Sequence, residues 1–181
     1  MTKQQRLDLI AQEIENCTEC KQNKIGVAVP GEGNPDADIV FIGEAPGKQE
    51  AQTGRPFIGR SGKLLRSLIT EAGLKEEDVY ITSPVKYLPV HGTPTPTEIA
   101  HGRIHLIKQF EVIEPKVIVL LGSTAMQAVL EQKLPVTKEH GKIVEKDGKK
   151  YFLTFHPAAA LRFPPNRKLL LEDFVKLKQY L

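Results

Sequence analysis

Three short apolar runs constrain the fold of this chain more than any other feature: Ile39 to Ile42, Val79 to Thr82 and Val117 to Leu121. Runs this short, with almost no polar residue interposed, read as strands buried on both faces. A fourth strand is expected from Tyr151 to Phe155, preceded by a hairpin or β-arm around Gly141 to Gly148. Helical spacing fills the intervals. Leu7, Ile10 and Ile14 predict a helix before Cys17. Leu64, Leu65, Leu68 and Ile69 predict another, with Ser61 as its N-cap and Gly73 just past its end. Thr95, Pro96 and Glu98 form a capping-box pattern with proline at the first helical position, and Ile99, Leu106, Phe110 and Ile113 continue that helix. Two more helices are expected, from Ser123 to about Leu130 and around Leu170, Phe174 and Leu177. Strands alternating with helices predict a three-layer α/β/α fold with a mainly parallel central sheet of about four strands.

The 181 residues suit one domain, residues 1–181, with one full-sized core. No apolar run approaches the roughly 18–20 residues that span a bilayer. Met1 to Glu13 is polar and carries no signal-peptide core, so the expected location is the cytoplasm. The net charge of +3, from 25 basic and 22 acidic residues, accommodates a nucleic-acid partner without requiring one.

In an open α/β sheet the ligand sits beyond the carboxyl ends of the strands. The loops after Ile42, Thr82 and Phe155 are therefore expected to share one face. The first, Gly43 to Gly59, is rich in glycine and proline and holds Glu44, Glu50 and Phe57. Such a loop approaches a ligand closely, and an aromatic on it can stack on a planar base. Composition alone fits an ordinary turn with solvated glutamates equally well. The loop does not match a GxxxxGK[ST] phosphate cradle, which excludes that class of nucleotidase. The third loop holds His156, with Arg162, Phe163, Arg167 and Lys168 following. A lone histidine is more often structural. At a strand's carboxyl end it can also donate to a developing anion.

Taken together, GEAPG at Gly43, TGRPFIGRSG at Thr53, VYIT at Val79, TPTP at Thr93, PKVIVLLG ending at Gly122 and TFHPAAALR at Thr154 resemble the motifs of family 4 uracil-DNA glycosylases, in order. The GEGN at Gly31 and the Cys17–Cys20 pair extend the resemblance over nearly the whole chain. It implies a monofunctional glycosylase that flips uracil, or a related deaminated base, out of DNA and hydrolyses its N-glycosidic bond. Flipping is needed because a stacked base hides that bond. The resemblance implies that Phe57 stacks on the base, that Glu50 positions the attacking water and that His156 donates to uracil O2. It places Glu44, Ala45, Gly47 and Ser83 around the base, and Leu161, Arg162, Phe163 and Arg167 against DNA. A monomer is the usual state of the superfamily.

The sequence departs from the family at three places. Ser83 stands where the family has a base-reading asparagine, so two alternatives stay open: a damaged-DNA binder with weakened chemistry, and a covalent uracil-DNA trap through His91. His91 itself reads as an exposed loop residue. The family holds a 4Fe–4S cluster on four cysteines, and such clusters need four ligands. Cys17 and Cys20 match the first two, but Tyr87 and Gly102 occupy the other positions. The expectation is therefore no cofactor, with Cys17 and Cys20 as relict thiols and Tyr87 filling vacated space. Zinc held by Cys17, Cys20, His101 and His105 is the less favoured alternative. The two histidines lie four apart on a predicted helix, and His105 could equally face solvent.

Overall fold

The computed structural model describes residues 1–181. Helix α1 (Lys3–Asn16) starts from a capping box between Thr2 and Gln5 and buries Leu7, Ile10 and Ile14. A one-turn α2 (Thr18–Lys21) follows, with the Cys17 sulfur accepting from the Cys20 amide. Next come β1 (Lys24–Ile25), β2 (Glu32–Gly33), β3 (Ile39–Ile42), α3 (Lys48–Thr53), α4 (Arg60–Glu71), β4 (Val79–Thr82) and β5 (Leu88–Pro89). The chain continues through α5 (Pro96–Ile113), β6 (Val117–Leu121), α6 (Ser123–Leu130), α7 (Val136–Glu139), β7 (Lys142–Lys146), β8 (Lys149–Thr154), α8 (Pro157–Arg162) and α9 (Pro165–Leu177). No helix is long and apolar enough to cross a membrane.

The central sheet has the order β2-β4-β3-β6-β8-β7, while β1 and β5 form a separate two-stranded ladder. Strands β4, β3, β6 and β8 are parallel, the four expected from the apolar runs. The edges are antiparallel additions. Strand β2 is the Glu-Gly pair on β4, too short and polar to carry a periodic signal. Strand β7 returns on β8 through a two-residue turn at Asp147 and Gly148, both at positive φ (51° and 73°). That conformation matches the right-handed twist of the flanking strands.

Alternate residues of the strands feed two cores. Val40, Ile42, Ile118, Leu120 and Leu153 pack with α1, α5 and α6 on one face. Ile39, Phe41, Val79, Val119 and Phe152 pack with α4, α8 and α9 on the other. Each fully buried aliphatic or Phe side chain contributes roughly 1.5–3 kcal/mol. This double coverage explains why the strands read as continuous apolar runs.

Two boundaries differ from expectation. Helix α4 is capped at Gly59, not Ser61, which lies inside it. The helix has no side-chain cap; the Glu50 carboxylate instead takes the Ile58 and Gly59 amides at 2.9 and 2.8 Å and fixes the turn that leads into it. Phe155 falls beyond β8, which ends at Thr154. The segments expected as loops also contain α3 and α8. Helices of six residues are unstable alone; α8 forms here against α4 and α9.

Candidate active site

The loops leaving β3, β4 and β8 converge on a cleft of about 390 Å³, lined among others by Ala45, Gly47, Glu50, Phe57, Ser83, His156 and Leu161. That volume falls within the roughly 300–1,000 Å³ of small-ligand sites. The carboxyl ends are stitched together by the backbone: Gly43 N–H donates to Thr82 O at 3.0 Å and Gly122 N–H to Thr154 O at 2.9 Å.

Phe57 projects into this cleft from a strained backbone with φ 51°. A left-handed conformation at a non-glycine residue costs about 1–3 kcal/mol and persists only where its surroundings impose it. Here they do. The Arg66 guanidinium donates to Phe57 O through Nε and to Pro56 O through Nη2, both at 2.9 Å. Glu50 Oε1 holds the next two amides. A Cβ at Gly62 would lie 2.0 Å from the Phe57 carbonyl carbon, and one at Gly43 would lie 2.5 Å from its ring, so both glycines make room. Arg66 is itself held by Glu32, at 3.0 Å, and by Glu76. Glu32 also receives both arms of Arg55 at 2.8 and 3.0 Å. Burial alone would raise the Glu32 pKa, but the two guanidiniums outweigh it and hold it below the usual carboxylate range. Neither Arg66 nor Glu32 was expected from sequence; the only signal was the GEGN segment itself.

His156 N-caps α8, its Nδ1 accepting from the Ala158 amide at 3.1 Å. An amide N–H can only donate, so the proton of the neutral ring must sit on Nε2. Burial holds the pKa of His156 below its ordinary value; Glu44 opposes this and Arg162 adds to it. The ring is therefore neutral at neutral pH and carries an Nε2–H donor. It lies beside Phe57, with centroids 5.7 Å apart. Glu44 Oε2 accepts from Thr124 Oγ1 at 2.7 Å, which fixes the carboxylate.

Ser83 is buried and its hydroxyl donates to Val85 O at 2.9 Å. Its hydrogen is committed, leaving lone pairs that can only accept. Behind it, buried Lys86 donates to Thr82 Oγ1 at 2.7 Å, Gln109 Oε1 at 2.9 Å and Pro30 O at 3.1 Å. Burial lowers its pKa to about 7.

At the rim, Leu161 and Phe163 are 39% and 60% exposed, placing two apolar side chains where they could enter a base stack. Arg162 is exposed beside them, while Arg167 pairs with Glu71. His91 is exposed in the turn after β5 and does not line the cleft.

The cysteines belong to a second group. Cys17 Sγ lies 3.2 Å and Cys20 Sγ 3.3 Å from His101 Nε2; Cys20 Sγ is also 3.3 Å from His105 Nε2. All four ligand atoms fall within 4.8 Å of one another, so these side chains could hold a metal ion. His105 is buried, not solvent-facing. The donors do not fit a 4Fe–4S cluster. The Tyr87 hydroxyl donates to Ile14 O at 3.4 Å from within the core. A Cβ at Gly102 would lie 2.0 Å from Pro84 O, so no side chain fits there unless the backbone moves.

Comparison with known sequences agrees with this architecture. Residues 30–180 match the uracil DNA glycosylase superfamily, and the chain belongs to it. It is 42% identical to the Type-4 uracil-DNA glycosylase of Thermotoga maritima, over 99% of this chain and 97% of that protein. The Type-4 enzyme of Saccharolobus solfataricus is 44% identical over 97% of this chain and 86% of its own. That of Archaeoglobus fulgidus is 41% identical over 94% and 91%.

Proposed function

We propose that this protein is a monofunctional DNA glycosylase that excises uracil, or a related deaminated base, and leaves an abasic site. The observation that carries the reading is the fixed tautomer of His156, whose neutral Nε2–H is available to the cleft beside Phe57. A flipped base stacks on Phe57. As the glycosidic bond breaks, its electron pair leaves with the base, and His156 Nε2–H donates to the developing oxyanion at O2. Water adds to the cation-like sugar carbon. Glu50 Oε2, the oxygen not occupied by the loop amides, orients that water and accepts its proton. Leu161 and Phe163 enter the stack where the base leaves it, and Arg162 meets phosphate. Ser83 accepts from the N3–H of uracil but offers nothing to O4, which loosens discrimination among deaminated bases. The enzyme works on cytoplasmic DNA as a monomer, without a 4Fe–4S cluster. The relatives, Type-4 uracil-DNA glycosylases, support uracil as the base.

A second reading, binding of damaged DNA without cleavage, draws on the missing amide at Ser83. One assay separates the two. Uracil-containing single- and double-stranded oligonucleotides are incubated with the protein, treated with alkali and run on a denaturing gel. Strand cleavage is the expected result. Retention without cleavage at high enzyme supports the reader, and a denaturant-resistant shifted band lost in His91→Ala supports a covalent trap. Absence of excision from every deaminated base rules out the glycosylase.

A further inference from the structure

We infer that Cys17, Cys20, His101 and His105 form a mononuclear zinc site that joins the N-terminal segment to α5. None of these four residues lines the cleft beside Phe57. A tetrahedral zinc ion binds sulfur at about 2.3 Å and imidazole nitrogen at about 2.0–2.1 Å, which places neighbouring S and N ligands roughly 3.5 Å apart. The Sγ–Nε2 separations here are 3.2, 3.3 and 3.3 Å. All four ligand atoms lie within 4.8 Å of one another, close enough to gather around one ion.

The surroundings match a metal-binding group. Cys17 and Cys20 are separated by one helical turn, and the Cys20 amide donates to Cys17 Sγ at 3.3 Å. His101 and His105 sit four residues apart on one face of α5 and each places Nε2 3.3 Å from Cys20 Sγ. The other nitrogen of His101 lies 3.2 Å from Glu19 Oε2, the carboxylate that orients a ligating imidazole and fixes its tautomer. His105 is buried, and its Nδ1 has no partner, so the only polar contact of that ring is with the sulfur of Cys20. A buried imidazole directed at a thiol is best satisfied by a shared cation.

The same distances exclude two iron-sulfur alternatives. A cubane needs four ligands spread around it, and Gly102 and Tyr87 supply none. A two-iron centre with two histidines and two cysteines places the pairs on different irons. Here His101 Nε2 touches both sulfurs. With four protein ligands no position is left open, so the ion is structural. It fixes α2 against α5 on the side of the sheet away from α4 and α9.

The test uses the full-length protein purified without added metal. Elemental analysis should find one zinc per chain with neither iron nor acid-labile sulfide. X-ray absorption at the zinc edge should resolve two sulfur and two nitrogen ligands, and it needs no variant. Glu19→Gln should weaken zinc binding by about 10–100-fold. Cys20→Ser and His105→Ala should weaken it further. If either fails to fold, the absorption spectrum of the wild-type protein still decides. Stoichiometric iron with labile sulfide would overturn the proposal. So would an oxygen- and nitrogen-only shell, or a folded protein that neither contains zinc nor takes up zinc or cobalt(II).

Discussion

At His156 one hydrogen bond fixes the position of the ring proton. Because Ala158 N–H occupies Nδ1, the only polar hydrogen of the ring is on Nε2. Replacing it in His156→Ala should lower the single-turnover excision rate by roughly 10²–10³, the loss typical of one oxyanion donor, with little change in DNA binding. The same burial predicts a stability effect. Burial holds the folded pKa of His156 below its unfolded value near about 6.5. As pH falls below about 6.5 the unfolded chain takes up a proton first, so this group's contribution declines until pH passes the folded pKa. Urea titrations at about pH 7.5 and about pH 5.5 should show wild type losing more stability over that interval than His156→Asn. Ser83→Asn should restore a donor toward O4 and raise selectivity for uracil over other deaminated bases by about tenfold, the equivalent of one hydrogen bond, measured as a ratio of kcat/KM values. Phe57, Glu50 and His156 were legible in the sequence because each sits in a motif directly after a buried strand. Arg66 was not. It acts on the carbonyls of Phe57 and Pro56, and any residue type presents a carbonyl.

Between elements, the Phe57 loop depends on contacts with α3, α4 and β2. Glu50 from α3 and Arg66 from α4 hold opposite sides of the Phe57 turn, and Glu32 from β2 fixes Arg66. Arg66→Met keeps the stem of the side chain and removes its five donors. It should release the strain at Phe57 and lower kcat/KM by at least about tenfold, while thermal stability falls by only about 1–2 kcal/mol. Equal activity in that variant would show that Phe57 keeps its conformation unaided. The expected cap at Ser61 failed for a related reason: the chain enters α4 through a turn that Glu50, on another helix, holds by the Ile58 and Gly59 amides, so the helix starts before Ser61. The Thr95 capping box was read correctly because all of its parts lie within four residues.

Across the whole molecule, the site face is braced from behind by Asp173 on α9. This carboxylate is 1% exposed. It accepts from Thr154 Oγ1 at 2.7 Å and lies 2.9 Å from His140 Nδ1, joining α9, β8 and the approach to β7. Thr154 ends the strand that delivers His156. Asp173→Ala should destabilise the protein by about 1–3 kcal/mol, since it leaves the buried Thr154 hydroxyl and the half-buried His140 imidazole without their partner, and the urea midpoint reads it directly. The effect on excision should follow stability, not chemistry, because Asp173 does not reach the cleft.

The sequence by itself determined the parallel core, because strands buried on both faces must be apolar at every position and that pattern is local. It also determined the three site loops, since a carboxyl end of the sheet follows from strand order in the chain. The tertiary structure decided what depends on distance through space: the tautomer of His156, the support of Phe57 by Arg66, and the meeting of Cys17 and Cys20 with His101 and His105. Some eighty residues separate those two pairs along the chain. A helical spacing of four can say that two histidines share a face, but only the packing of α2 on α5 says what that face meets.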